Sequence, residues 1–351
     1  MKTELIIASN ELKEFVSELF KKVGLVENDA VILAGNYVDN NLMGIDSHGV
    51  RLVPNCIRRL QEGGVNPRPQ IRLEAETVST ARLDGDNGLG QLLALAGMKL
   101  AMGKAKDTGI GLVVCTNTNN AGTMGSYTRI ALEEGMAGLA IATTVPSMFA
   151  WRGLKRVISN PPLSVSFPGR KTQFVIDFCL GSVAWNKIHV QRDKGELIPD
   201  GWAVDRQGKP TTDPLKAADG GSVIPIGGHK GYGLSLAIEL FTAILGGKQF
   251  GKDIKGLFED PSQGEGITIT VGALDVSKLI VPELLYDRAE ELFQFIKSSP
   301  LKAGFAEVII PGEPEERIKK KRREQGIPLP LEVTQALKEC AAALQVPTRF
   351  S

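Results

Sequence analysis

Three places in the sequence carry residue types that can do chemistry. The first is Asp46-Ser47-His48-Gly49-Val50. Histidine is the side chain that best exchanges protons near neutral pH, and this one sits on a loop at a helix start, where Asp46 could orient its ring. The second is Gly227-Gly228-His229-Lys230-Gly231-Tyr232-Gly233, running into the apolar stretch that begins at Leu234. Glycines let the backbone come close to a ligand. The helix that follows offers free N–H groups and a partial positive charge, which suit a phosphate. Lys230 adds a full positive charge and His229 a further donor. The third is Gly85-Asp86-Asn87-Gly88-Leu89-Gly90. Its spacing is not the G-x-G-x-x-G of the dinucleotide fingerprint, so it reads as a tight turn into a helix.

Other chemistries find less support. The chain has three histidines, His48, His189 and His229, which argues against a histidine metal cluster, and no metal ligand is expected. A Gly-x-Ser-x-Gly nucleophile elbow is missing, which disfavours a hydrolase. The cysteines, Cys56, Cys115, Cys179 and Cys340, lie far apart without a Cys-x-x-Cys pair, as expected of free thiols in a reducing, cytoplasmic setting. Lys plus Arg number 41 and Asp plus Glu 40, so no net field draws nucleic acid or an anionic membrane. No stretch approaches the ~20 apolar residues that span a bilayer. The basic run Lys319-Lys320-Lys321-Arg322-Arg323 is read as the solvated face of a late helix.

The elements that must position these residues follow from periodicity. Leu12, Phe15, Val16, Leu19 and Phe20 mark a first helix behind a Ser9-Asn10 cap. A second is expected over 29–43, with Ile32, Leu33, Tyr37 and Val38 on one stripe. A third carries Ile57 and Leu60 and exposes Arg58 and Arg59. Residues 63–69 form a Gly/Pro-rich linker. Beyond it, strands at 79–83, 111–115, 137–142, 163–167, 173–177 and 267–271 alternate with helices over 90–106 and 127–135. That mixture predicts a large α/β sheet domain at 76–299. Residues 1–75 and the helical 300–351 are expected to pack together as a second, helical lobe.

Taken together, these segments resemble one family. Asp46-Ser47-His48-Gly49-Val50, the loop Gly228-His229-Lys230-Gly231-Tyr232-Gly233-Leu234, Ile198-Pro199-Asp200-Gly201-Trp202-Ala203, Pro210-Thr211-Thr212-Asp213-Pro214, and Pro311-Gly312-Glu313-Pro314-Glu315 with Gly326-Ile327-Pro328-Leu329 are similar to the malate/L-lactate dehydrogenases. That group includes ureidoglycolate and sulfolactate dehydrogenases, diketogulonate reductase and piperideine-2-carboxylate reductase. The resemblance implies a non-Rossmann α/β sheet domain that binds NAD or NADP, a helical lobe from both chain ends, and a homodimer with sites near the subunit interface. It implies hydride exchange between nicotinamide and a 2-hydroxy/2-oxo acid or a cyclic imino acid. His48 then becomes the proton donor or acceptor, with Ser47 beside the substrate. Asn160, the segment Ile176, Asp177, Phe178 and Ser182, the trio His229, Lys230 and Gly231, and the turn Gly312-Glu313 would contact the cofactor.

The departures cluster where substrate would sit. Asn120, in Asn117-Thr118-Asn119-Asn120-Ala121-Gly122, occupies the place of a family histidine, and asparagine can hydrogen-bond a carbonyl but not exchange a proton. Leu52 stands where the family places a carboxylate-gripping arginine, and Arg51 lies one residue earlier, about 100° away on a helix. Ile158-Ser159-Asn160-Pro161 and Thr143-Thr144-Val145-Pro146 are also altered, with Thr144 at a substrate position. The expectation is a dehydrogenase or imine reductase with a shifted substrate, with His48 and Asn120 catalytic. The alternative is a lapsed relative that binds a dinucleotide as a sensor or scaffold.

Overall fold

The computed structural model describes residues 4–348 and 350. The chain opens with strand β1 (Glu4–Ile7) and helices α1 (Ser9–Lys22), α2 (Glu27–Leu42) and α3 (Val53–Gln61). It continues through β2 (Arg72–Glu76), β3 (Thr80–Gly88), α4 (Gly90–Thr108), β4 (Ile110–Thr118), α5 (Gly125–Glu133) and β5 (Ala137–Ala142). Next come β6 (Pro146–Phe149), β7 (Arg156–Ser159), β8 (Pro162–Phe167), β9 (Phe174–Cys179) and α6 (Trp185–Lys194). The short elements β10 (Ala203–Val204), β11 (Pro210–Thr211), α7 (Pro214–Ala218) and β12 (Ser222–Val223) lead to α8 (His229–Glu239). The chain closes with β13 (Ile267–Leu274), α9 (Pro282–Lys297), α10 (Glu313–Gln325), β14 (Ile327–Pro330) and α11 (Leu331–Leu344).

The main sheet has the order β2-β3-β4-β13-β5-β8-β9. Only β3 and β4 run parallel; every other neighbouring pair is antiparallel. A doubly wound dinucleotide sheet is parallel with crossover helices, so the mixed α/β expectation holds and the Rossmann arrangement is ruled out. Strand β13 lies at the centre, buried on both faces and therefore apolar or small along almost its whole length. Helix α4 lies flat on the sheet because its contact face is small. A Cβ on Gly97 would come 2.5 Å from the Cys115 sulfur, and one on Gly111 of β4 would come 2.0 Å from the Ala101 carbonyl oxygen.

A separate apolar cluster gathers side chains from both ends of the chain. Leu12, Phe15, Val16, Leu19 and Phe20 of α1 meet Leu33, Tyr37 and Val38 of α2, Ile327 and Leu329 of β14, and Leu337 and Ala341 of α11. Phe15 and Phe350 pack edge to face with centroids 4.8 Å apart, and β1 pairs antiparallel with β14, Ile7 opposite Ile327. That ribbon has no counterpart in the sequence-based expectation. A third cluster, around Met148, Ile188, Ile198, Ala203 and Val223, covers the β6–β7 hairpin, α6, α7 and the small β10–β12 sheet.

Two local expectations are corrected. Helix α1 is capped at Ala8, whose carbonyl accepts the Leu12 amide at 3.0 Å but whose side chain has no acceptor for the first free amides; Ser9 and Asn10 lie inside the helix. Arg59 is not exposed. It is 1% accessible, whereas its neighbour Arg58 faces solvent.

Truncating the side chain that joins the two chain ends tests this arrangement. Phe15→Ala is expected to cost about 3–5 kcal/mol in chemical denaturation. Val31→Ala, on the exposed side of α2, should stay within about 0.5 kcal/mol of the parent.

Candidate active site

His48 ends a single tight turn, Asp46–His48, between α2 and the lead-in to α3. Two adjacent amides of α2 build that turn. Asn41 accepts the Val50 amide at 2.8 Å and donates to the Asp46 carboxylate at 2.6 Å; Asn40 donates to the His48 carbonyl at 3.2 Å. Gly49 is required because a Cβ there would sit 2.2 Å from the Asn41 side-chain oxygen. The ring is held by Ser47, whose Oγ lies 2.9 Å from His48 Nδ1. Asp46 does not orient it. Its two oxygens are gripped by Arg322 of α10 at 2.7 and 3.0 Å, a bidentate pair stronger than anything a ring N–H could offer. The basic run lies on a late helix with Lys320, Lys321 and Arg323 exposed, as expected, but two of its members turn inward: Arg322 also donates to the Asn41 carbonyl and Lys319 reaches Asp39 at 3.5 Å. Burial lowers the pKa of His48, and its Nε2 has no hydrogen-bond partner among the described residues.

The Asn119–Asn120 segment leaves the end of β4 and crosses Gly90. A Cβ on Gly90 would fall 2.2 Å from the Asn119 carbonyl, so the third glycine of the Gly85–Gly90 cluster serves this crossing. Asn119 donates to the Asn87 and Gly88 carbonyls at 2.9 and 3.0 Å and accepts the Glu265 amide at 2.9 Å. Asn120 accepts the Gly122 amide at 3.0 Å, and its own amide donates to Glu265 Oε1 at 3.2 Å. Thr123 then donates to Asn40 Oδ1 at 2.7 Å. Asn40 therefore bonds both the His48 turn and the Asn120 loop. Leu52 is 5% exposed and lines a small cavity with Asn120, Gln91, Arg59 and Glu265, whereas Arg51 points to solvent.

The remaining candidates gather around β9. Asp177 accepts the first amide of α5, Gly125, at 2.7 Å; burial pushes its carboxyl up to about 6, with Arg129 pulling the other way. Phe178 is 40% exposed, and Ile176 is half-buried on the same strand. Asn160 spends its amide internally, accepting the Gly181 N–H at 2.5 Å and donating to the Val183 carbonyl at 2.9 Å. Ser182 is thereby held against the lead-in to α8, its amide donating to Ile224 at 2.7 Å. There Gly227 and Gly228 adopt φ of +59° and +65°, and a Cβ on Gly231 would meet the Ile226 oxygen at 2.2 Å. Helix α8 starts with no side-chain cap, and His229 and Lys230 are exposed, with the His229 ring edge-on to Trp151 at 5.7 Å. Thr144 is half-buried just beyond β5. Gly312 docks on β9 through the Val175 amide and the Pro311 carbonyl at 3.1 Å. Glu313 is committed to Lys297 at 2.5 Å and to the Ile310 amide at 2.9 Å.

The structure thus joins Ser47, His48 and Asn120 through Asn40 and Thr123, and joins Asn160, Ser182 and the His229 loop along β9. Asn40, Arg59, Glu265 and Arg322 escaped the sequence reading. A pair of amides following Tyr37 and Val38 in an otherwise apolar helix face is the one signal that pointed at Asn40 and Asn41.

The family profile for malate/L-lactate dehydrogenase matches residues 7–338. The chain belongs to that family. It is therefore an oxidoreductase. L-sulfolactate dehydrogenase of Methanocaldococcus jannaschii is 39% identical over 326 residues, 91% of this chain and 92% of that protein. Its solved structure superposes with a TM-score of 0.91 at 38% identity, covering 97% of this chain and 98% of that one. The malate dehydrogenase structure from Pyrococcus horikoshii gives a TM-score of 0.90 at 32% identity over 99% and 97% of the two chains. Ureidoglycolate dehydrogenase (NAD(+)) of Escherichia coli is 26% identical over 332 residues, 94% of each chain.

For this family member, Arg322→Ala should leave the Asp46 carboxylate without its cation. A loss of about 1–2 kcal/mol is expected, since one partly exposed charge-assisted pair is removed. Hydrogen exchange should accelerate over residues 44–50 and not in β13.

Proposed function

We propose that this chain moves hydride between NAD(H) or NADP(H) and a small 2-hydroxy/2-oxo acid or cyclic imino acid, with His48 handling the proton. The carrying observation is the His48 turn: Ser47 holds Nδ1, burial keeps the ring neutral at pH 7, and Nε2 is left for a substrate oxygen or nitrogen. Relatives named for sulfolactate, malate and ureidoglycolate support a 2-hydroxy acid. The ureidoglycolate enzyme's name carries NAD(+).

The residues on the α8 side fit a nicotinamide dinucleotide. Two left-handed glycines lead into an uncapped helix start that places the positive end of α8 beside the exposed Lys230 and His229; the Lys230, Gly231 and Tyr232 amides already donate to the Gly227, Ile226 and Gly228 carbonyls. Phe178 and Trp151 offer exposed aromatic surface nearby on β9 and after β6. Bound there, the nicotinamide supplies or accepts the hydride. The chain's own part is positioning and proton transfer. Asn120 offers its amide N–H to a carbonyl or imine, since its oxygen is occupied by Gly122. Ser47 orients the His48 ring through Nδ1. With Leu52 turned inward and Arg51 outward, the carboxylate grip at that turn is weak, which favours a substrate whose anionic group lies elsewhere than at that turn.

A homodimer is part of the same reading. Helix α8 and the turn after it expose Leu234, Leu236, Leu240, Phe241, Ile244 and Leu245, a contiguous apolar stretch that a second copy would cover.

Nicotinamide fluorescence titration with NADH and NADPH, followed by a panel of 2-oxo acids and cyclic imines, tests the proposal. Lys230→Ala should weaken nucleotide binding about tenfold. His48→Ala should lower turnover ~10²–10⁴-fold without changing nucleotide affinity. The sign of the pH dependence follows from burial. Because the ring's pKa is lowered from 6.5, the neutral base is present at pH 7, and the limb of hydroxy-acid oxidation that His48 sets should lie below 6.5, with activity lost as pH drops through it. Nucleotide binding with no turnover on any of these substrates would favour a lapsed enzyme instead.

A further inference from the structure

One buried carboxylate carries the Asn119–Asn120 loop. Glu265, just before β13, is 3% exposed and accepts the Asn120 amide at 3.2 Å, while Asn119 returns the contact by accepting the Glu265 amide at 2.9 Å. The other partner of Glu265 is Arg59 of α3, 1% exposed, whose Nε lies 3.5 Å from Oε1. Arg59 is itself fixed, donating to the Gln263 and Asp260 carbonyls. Helix α3 is the continuation of the segment that bears His48. The ion pair therefore gives the segment that follows His48 a second tie to the Asn120 loop, besides the Asn40–Thr123 link.

We propose that Glu265 is a positioning residue for the oxidoreduction, whose carboxylate holds the Asn120 backbone against α3 and relaxes that hold when it takes up a proton. The role given to Asn120 rests on the reading in the preceding subsection. Three observations carry the proposal. The brace is loosely fitted, since Arg59 Nε makes an ion pair but no hydrogen bond, and Gln91 Oε1 on the same cavity wall has no partner. That cavity is lined by Leu52 and Asn120, so any shift of the pair is felt where the chain departs from its family. The charges around Glu265 also leave it free to titrate near neutrality. The titratable groups facing it are Arg59 and Cys56 from α3, Tyr37 from α2 and Glu259 from the preceding loop. Burial pushes the Cys56 thiol up to about 12 and raises Tyr37, so both stay neutral. Burial likewise pushes Glu265 up to about 7; Arg59 opposes this, and Glu259 adds to it. Above that pH the carboxylate is charged and the brace is tight. Below it Arg59 loses its counter-charge, and the Asn120 amide faces a neutral acceptor.

Hydrogen exchange of the Asn120 amide decides the matter without any substrate. Corrected for intrinsic exchange, its protection in the wild-type protein should fall roughly tenfold between pH 8 and pH 6, the difference between a charge-assisted and a neutral bond. Val114 in the middle of β4 should not change. In Glu265→Gln, which keeps shape and loses the charge, Asn120 protection should be the same at both pH values. Wild-type protection that is flat across this range, or an equal fall in the Gln variant, would overturn the proposal, and the wild-type measurement stands even if the variant folds poorly. With a substrate in hand, wild-type turnover should show a limb near pH 7 that Glu265→Gln lacks, leaving only the lower limb of His48. A limb near 7 that survives in the variant also refutes it. If no substrate is turned over at all, the oxidoreduction reading fails separately, while the exchange data still report on Glu265.

Discussion

The site rests on the closure of the two chain ends upon each other. Apolar burial supplies the energy, through Phe15 against Phe350 and the β1–β14 ribbon. That burial is non-directional and cannot aim a ring. The aim comes from Arg322, which a late helix delivers to Asp46, and from the two amides of α2 that fold the backbone around Gly49. A bidentate guanidinium–carboxylate pair tolerates little angular error, so the position of α10 is passed directly to the turn that holds His48.

Much of the scaffold was legible because it is periodic. The stripe of α1, the apolar strands β4, β5 and β13, and the small-residue face of α4 all announce themselves within a window of a dozen residues. The site was legible only as residue types: His48 and the glycine loop before α8 stand out for what they are. Their partners do not. Arg59 looks like the neighbour of an exposed arginine until Glu265 is brought beside it, and Asp46 looks like a ring-orienting acid until α10 arrives. Pairs so distant in sequence leave no local pattern. The β1–β14 ribbon was hidden for the same reason, with prolines in β14 masking a strand that occurs only as half of an edge pair.

The interior between the His48 turn and the Asn120 loop is unusual in how it handles polarity. Around the buried Arg59–Glu265 pair stand Asn40, Asn41, Gln91, Asn119 and Asn120, amides that can both donate and accept and carry no charge. Such groups can be exchanged for one another at small electrostatic cost, whereas a charge introduced here would have to find a partner in a low-dielectric space. Leu52 and Asn120 keep that interior neutral on the side of the small cavity they line with Arg59 and Glu265. The α8 side, by contrast, keeps the Lys230 cation at the surface, where it costs little.

Arg322 reaching back to Asp46 also orders events in time. As the polypeptide leaves the ribosome, α2, the His48 turn and all seven strands of the main sheet are synthesised before the residue that pins that turn. A nascent chain can thus assemble its sheet while the His48 turn still lacks its guanidinium clamp, and the late emergence of α10 sets that turn.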